Sequence, residues 1–156
     1  MLPENEFLLS CVRAAIGKDA TAMPMTPPAE VNWGRFPGLC EWHNVIPLVC
    51  RMLPLALNGA VPPAALSRLR GLHQNNTARS LQLATELARV LRAFESSGIP
   101  AYPFKGPALS VMLYGDPARR QSKDLDILVP KAKLPRAMKA LDALGYRTRS
   151  EEHTSE

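Results

Sequence analysis

Two carboxylates stand two residues apart in the run Asp124-Leu125-Asp126-Ile127-Leu128-Val129. On a strand, side chains two apart project from one face, so the acids point together while Leu125, Ile127 and Val129 supply a buried anchor opposite. Two carboxylates on one face repel unless something positive lies between them. Mg²⁺ suits that place, because it accepts one or two carboxylates and completes its shell with phosphate oxygens and water. Upstream, Phe104-Lys105-Gly106-Pro107 reads as a strand-to-helix turn. Gly106 lets a ligand approach the backbone closely, the helix that follows aims its positive dipole end at that ligand, and Lys105 adds a point charge suited to phosphate. An isolated Asp-x-Asp is a weak signal, and Lys105 alone reads equally well as a surface lysine. What joins them is the expectation that one cleft receives both segments.

The elements that must hold these groups fall into two textures. The spacing predicts helices over 5–16, ending at Gly17, over 30–43 and over 46–57, with a polar connector at 18–28 and a break at 58–63. In 30–43 the apolar positions are Trp33, Phe36, Leu39, Cys40 and Trp42, and Pro37 and Gly38 weaken the helix. A long helix follows over 64–97, with Leu66, Leu69, Leu72, Leu81, Ala84, Leu87, Leu91 and Phe94 on one stripe and Arg68, Arg70, Arg79, Arg89 and Arg92 on a solvated face. Gly98 caps it and Pro100 prevents its continuation. Beyond 98 the pattern alternates: a strand over 99–104, a compact helix over 108–114, a loop over 115–123, a strand over 124–129, a helix over 133–144 and a third strand opening at Tyr146. The fold class expected is α+β, a helical N-terminal region at 1–97 followed by the start of a catalytic core at 98–148.

These residues carry a resemblance. The run Phe104-Lys105-Gly106, Leu109, Tyr114-Gly115-Asp116-Pro117, Arg120, Asp124-Leu125-Asp126-Ile127-Leu128-Val129 and Leu144-Gly145-Tyr146 resembles the uncharacterised bacterial nucleotidyltransferases of the DNA polymerase β-like superfamily. Trp33, His43-Asn44-Val45-Ile46-Pro47-Leu48 and the long helix ending in Gly98 fit more loosely. The resemblance implies a small mixed-sheet nucleotidyltransferase core that moves a nucleoside monophosphate from an NTP to an unknown acceptor. It implies that Asp124 and Asp126 hold two Mg²⁺ ions, about 3.5–4 Å apart in such sites. Gly106 and the amides after it would cradle the β- and γ-phosphates, and Lys105 and Arg120 would neutralise phosphoryl charge. Arg120 reads equally as structural, pairing with an acid such as Asp116.

Two departures stand out. Where the superfamily carries Gly-Ser or Gly-Gly, this chain has Gly106-Pro107, and Pro107 has no N–H for a phosphate. The superfamily's third carboxylate, on a later strand, has no counterpart here, so the chain as written is expected to be catalytically incomplete. Its last eight residues, 149–156, look like the in-frame translation of a common short-read sequencing adapter. They are read as a non-native tail, with the natural gene expected to continue past 148.

Composition sets the remaining bounds. The chain has 156 residues, 46% hydrophobic and 21% charged, within the globular range, and a net charge of +5. Nucleic-acid binding rests on that charge alone and ranks last, since few aromatics interleave with the arginines. Neither a signal peptide nor a transmembrane span is read, and a cytoplasmic location is expected. Cys11, Cys40 and Cys50 form no disulfide framework. Cys40-x-x-His43 with Cys50 lacks a fourth zinc ligand and reads as packed thiols. His73 is expected in solvent, and Trp33 and Trp42 as core anchors. Two other functions compete: an Asp-x-Asp glycosyltransferase, disfavoured by the helical region before the motif, and a non-catalytic helical interaction module whose acids merely bind a cation.

Overall fold

The computed structural model describes residues 2–17, 26–56 and 60–147; the connector at 18–25, part of the predicted break at 57–59 and the tail at 149–156 lie outside them. Helices α1 (Pro3–Ile16), α2 (Phe36–Trp42), α3 (Ile46–Ala56) and α4 (Pro63–Ser96) come first. They are followed by β1 (Tyr102–Pro103), α5 (Gly106–Tyr114), β2 (Ile127–Leu128), a 3-10 turn (Lys131–Lys133) and α6 (Leu134–Ala143). The fold is α+β, with a helical N-terminal half and a small antiparallel sheet after it.

Pro3 in the first turn and the acids Glu4 and Glu6 favour the start of α1, which buries Phe7, Leu8, Cys11 and Ala15 at helical spacing. Phe7, Trp33 and Phe36 meet with ring centroids 5.3–5.8 Å apart, and Cys40, Ile46, Val49, Met52 and Leu69 complete this first core. The helix expected over 30–43 is shorter, because Asn32 competes for its first turn. Its side-chain oxygen accepts the N–H groups of Gly34 at 3.1 Å and Arg35 at 3.2 Å, which holds that stretch in turns until α2 begins. Trp42, expected in the core, is 81% exposed at the end of α2.

Helix α4 is the spine. Its 34 residues span about 50 Å at 1.5 Å per residue. Ala65 and Leu69 enter the first core, while Val90 and Phe94 enter a second with Ile99 and Ala137. Between them the buried stripe is polar, carrying Asn76 and Ser80, and Leu81 turns outward. That middle section faces the 115–123 loop rather than another apolar surface, so an apolar stripe is the wrong template there. His73, expected in solvent, is partly buried. The α4 arginines are exposed as expected, but Arg68 also donates to Gly34 O and Arg79 to Lys123 O.

The sheet pairs Tyr102 with Leu128 and Pro103 with Ile127. Both strands are shorter than expected: Pro103 has no N–H to give the ladder, and Pro100 and Pro130 bracket the pair. One face packs on α4 and α6, where Leu125, Ile127 and Val129 join Val90, Phe94 and Leu141 around an apolar cavity of about 500 Å³. The other face, carrying Tyr102 and Leu128, is open. Tyr146 follows α6 without strand pairing among the described residues, in place of the third strand expected there. No helix among the described residues is long and apolar enough to cross a membrane.

Candidate active site

Asp124 and Asp126 lie just before β2 rather than on it. The ladder nevertheless reaches Asp126, whose carbonyl accepts the Phe104 N–H at 2.9 Å. Continuing the register places Phe104 opposite Asp126, so Tyr102, Phe104, Asp126 and Leu128 share the open face. The anchoring role of Leu125, Ile127 and Val129 is as expected; they line the apolar cavity on the far side.

Lys105 caps α5 at the same edge. Its Nζ stands 3.9 Å from Asp126 Oδ2 and 5.4 Å from the Phe104 ring centroid. Both charged side chains are about half exposed, so the pair holds ~0–1 kcal/mol and is easily traded for a stronger partner. Gly106 adopts φ +64°, and a Cβ there would sit 3.2 Å from the Asp124 carbonyl oxygen. Glycine suits this position because its backbone is left-handed and a Cβ would press on the Asp124 carbonyl, so the first turn of α5 packs closely against the Asp124 segment.

The connecting loop is clamped at several points. Gly115, at φ +70°, caps α5 and donates to Val111 O at 2.7 Å. The fully buried Ser110 hydroxyl donates to Asp116 O at 2.7 Å and accepts the Arg120 N–H at 3.2 Å. Asp116 accepts the Ala118 N–H at 2.8 Å and pairs with Arg119 at 3.2 Å. The expected Asp116–Arg120 pairing is therefore corrected: Arg119, three residues on, reaches the carboxylate. The Arg120 Nη1 is buried with no hydrogen-bond partner among the described residues. From the helical half, Asn76 donates to Ala118 O at 3.0 Å, Arg79 to Lys123 O at 3.3 Å, and Ile46 N–H to Gln121 Oε1 at 3.2 Å. Sequence reasoning missed Ser110, Asn76 and Gln121. Asn76 left a trace, since it lies seven residues beyond the buried Leu69, on the same helix stripe.

The sequence-predicted residues thus divide. Asp126, Lys105 and Gly106 meet at the β1–α5 turn with Asp124 against Gly106, while Arg120 sits in the clamped loop. Among the described residues, no three His, Cys, Asp or Glu gather into a metal cage. The donors available at the turn are the two carboxylates, a set that fits a hard cation sharing its shell with phosphate and water. The cysteines serve elsewhere. Burial pushes the Cys11 thiol up to about 12 and Cys50 up to about 11, raises Cys40 further, and leaves all three neutral. Cys50 donates to Leu69 O at 3.5 Å, and His43 lies at the surface.

No curated protein and no solved structure matches this chain significantly. A family model described as uncharacterised nucleotidyltransferase matches residues 29–156, which takes in α2 through α6 and every group of the turn. With the helical half clamped onto an acid-bearing loop and that loop inside the matched span, the chain belongs to the uncharacterised nucleotidyltransferase family.

Proposed function

We propose that the protein transfers a nucleoside monophosphate from an NTP to an acceptor hydroxyl, with Mg²⁺ and with pyrophosphate as the second product. The observation that carries this reading is the meeting of Lys105 with Asp126 at 3.9 Å on a turn whose glycine packs against Asp124. Phosphate-binding and cation-binding chemistry then share one edge. Asp124 and Asp126 are the residues that would hold magnesium, which when bound supplies charge neutralisation on the triphosphate and polarises the acceptor oxygen.

The chain's own part is positioning. Lys105 exchanges its weak pair with Asp126 for a phosphate oxygen, a better partner for a point charge. The amides of Ala108 and Leu109 in the first turn of α5 face the same charge, while Pro107 contributes none. Arg120 carries a buried N–H in want of an acceptor, which an anionic oxygen satisfies. In the transfer, an acceptor oxygen forms a bond to the α-phosphorus as the bond to the bridging oxygen breaks. That electron pair departs with pyrophosphate, and the hydroxyl proton passes to solvent.

The chain as written is expected to be catalytically incomplete, so the test, on the protein expressed from its native gene, is Mg²⁺-dependent release of pyrophosphate from each NTP in turn, across a panel of hydroxyl acceptors. Asp124→Asn and Asp126→Asn are expected to abolish it while leaving the unfolding curve within about 0.5 kcal/mol, as exposed substitutions do. Full activity in both variants would sink the assignment.

A further inference from the structure

Resting on that reading, we infer that a polar cavity beside the acid pair binds the acceptor, and that the acceptor is a neutral polyhydroxylated ring, a sugar or cyclitol. The cavity, about 260 Å³, lies between the helical half and the loop that carries the acids. Its walls include Glu41, Asn44, Asn75, Asn76, Gln121 and Lys123. Three hydrogen bonds already described, Asn76 to Ala118, Arg79 to Lys123 and Ile46 to Gln121, tie those walls together. Glu41 and Asn75 take part in none of the three and Lys123 only through its carbonyl, so these three side chains remain to meet a ligand.

The lining indicates the ligand class. An amide side chain offers both donor and acceptor, as a hydroxyl does, and three asparagines with a glutamine suit a row of hydroxyls. Glu41 faces two cations in the lining, Lys123 and Arg79, and the Arg79 guanidinium already donates to Lys123 O, so the field is not uniformly positive as an anion site's would be. Trp42, 81% exposed, stands between Glu41 and Asn44 in the chain. Asn44 adopts φ 56° and its amide donates to the Trp42 carbonyl at 3.5 Å, which shapes this turn. Trp42 does not itself line the cavity, but it belongs to the turn that supplies two of its lining residues, and an indole left that bare offers an apolar face to the C–H side of a ring.

Position relative to the chemistry agrees. The chain passes from the cavity wall at Lys123 straight to Asp124, one Cα step of about 3.8 Å, and the acids' other close neighbours are Lys105 and Gly106, neither of which lines the cavity. In-line displacement requires the attacking and leaving oxygens to approach phosphorus from opposite sides. With the triphosphate at Lys105 and α5, the acceptor enters from the cavity.

The experiment titrates the full chain, without nucleotide or magnesium, with D-glucose, myo-inositol, D-glucose 6-phosphate and ATP. Tryptophan emission and saturation-transfer NMR report binding. The neutral polyols are expected to perturb the emission and receive saturation at millimolar concentration, the emission change vanishing in Trp42→Ala. Asn75→Leu, an exposed position that keeps the fold even if the tryptophan variant does not, is expected to weaken polyol binding about tenfold through its lost amide. Absence of polyol binding, equal binding in Asn75→Leu, preference for the sugar phosphate, or competition by ATP for the same subsite overturns the inference. A protein that binds polyols yet consumes no NTP would refute the transferase reading alone; NTP consumption without polyol binding would refute the subsite alone.

Discussion

Three glycines, two of them at the ends of α5 and one within α4, separate conformation, packing and propensity. Gly106 and Gly115 both lie in the left-handed region, at φ +64° and +70°, but only Gly106 has its Cβ position blocked, by Asp124 O at 3.2 Å. Alanine at Gly115 carries the left-handed cost alone, about 1–2 kcal/mol. Alanine at Gly106 adds an overpacking cost against backbone, which raises the total to about 2–4 kcal/mol. For a chain of this size that corresponds to a fall in Tm of about 4–16 °C. Gly71, in the middle of α4 with nothing within 4 Å of its Cβ position, is the opposite case: Gly71→Ala gains up to about 1 kcal/mol of helix propensity. Urea unfolding of the three variants gives the order directly. Pyrophosphate release should fall about tenfold in Gly106→Ala, because the displaced Asp124 carbonyl carries the acid out of register. If Gly106→Ala proves no less stable than Gly115→Ala, the locking of α5 against Asp124 is refuted.

Ser110→Ala removes the buried hydroxyl that bridges Asp116 O and the Arg120 N–H; it is expected to cost about 1–3 kcal/mol in urea unfolding, and a loss under 0.5 kcal/mol would show the loop held by other means. Glu86 accepts hydrogen bonds from Arg89, at 2.9 Å through Nε, and from the Tyr146 hydroxyl, and these hold its carboxyl down at about 2 against an ordinary 4.5. A depressed carboxylate stabilises the fold above its unfolded value and loses that contribution as pH falls from about 4.5 toward 2. The Tm gap between wild type and Glu86→Gln should therefore be widest above pH about 5 and close through this window; a gap that does not vary with pH would remove Glu86 as its source. The three neutral thiols should resist iodoacetamide at pH 7.5 in the native protein and react after denaturation, as counted by mass spectrometry, and rapid native labelling of Cys11 or Cys40 would contradict their burial.

Much of the architecture was legible in the residues themselves. The long helix could be read from its periodicity to within a residue or two at each end, because its Pro62-Pro63 start and Gly98 cap are local steric facts. The two-residue alternation likewise separated Asp126, on the open face, from Leu125, Ile127 and Val129, on the buried one, although the strand itself stops short of Asp124. Tertiary structure decided what depends on neighbours distant in sequence. Asn76 and Ser80 are buried because the middle of α4 meets a loop forty residues away, not an apolar surface. Trp42 is bare because α2 ends before any element covers it. Gly106 is glycine because its backbone is left-handed and Asp124 O leaves a Cβ only 3.2 Å. Arg119 rather than Arg120 takes Asp116, for the turn's geometry rather than its composition selects the partner. Periodicity records which way a side chain points; only the assembled chain determines what it meets there.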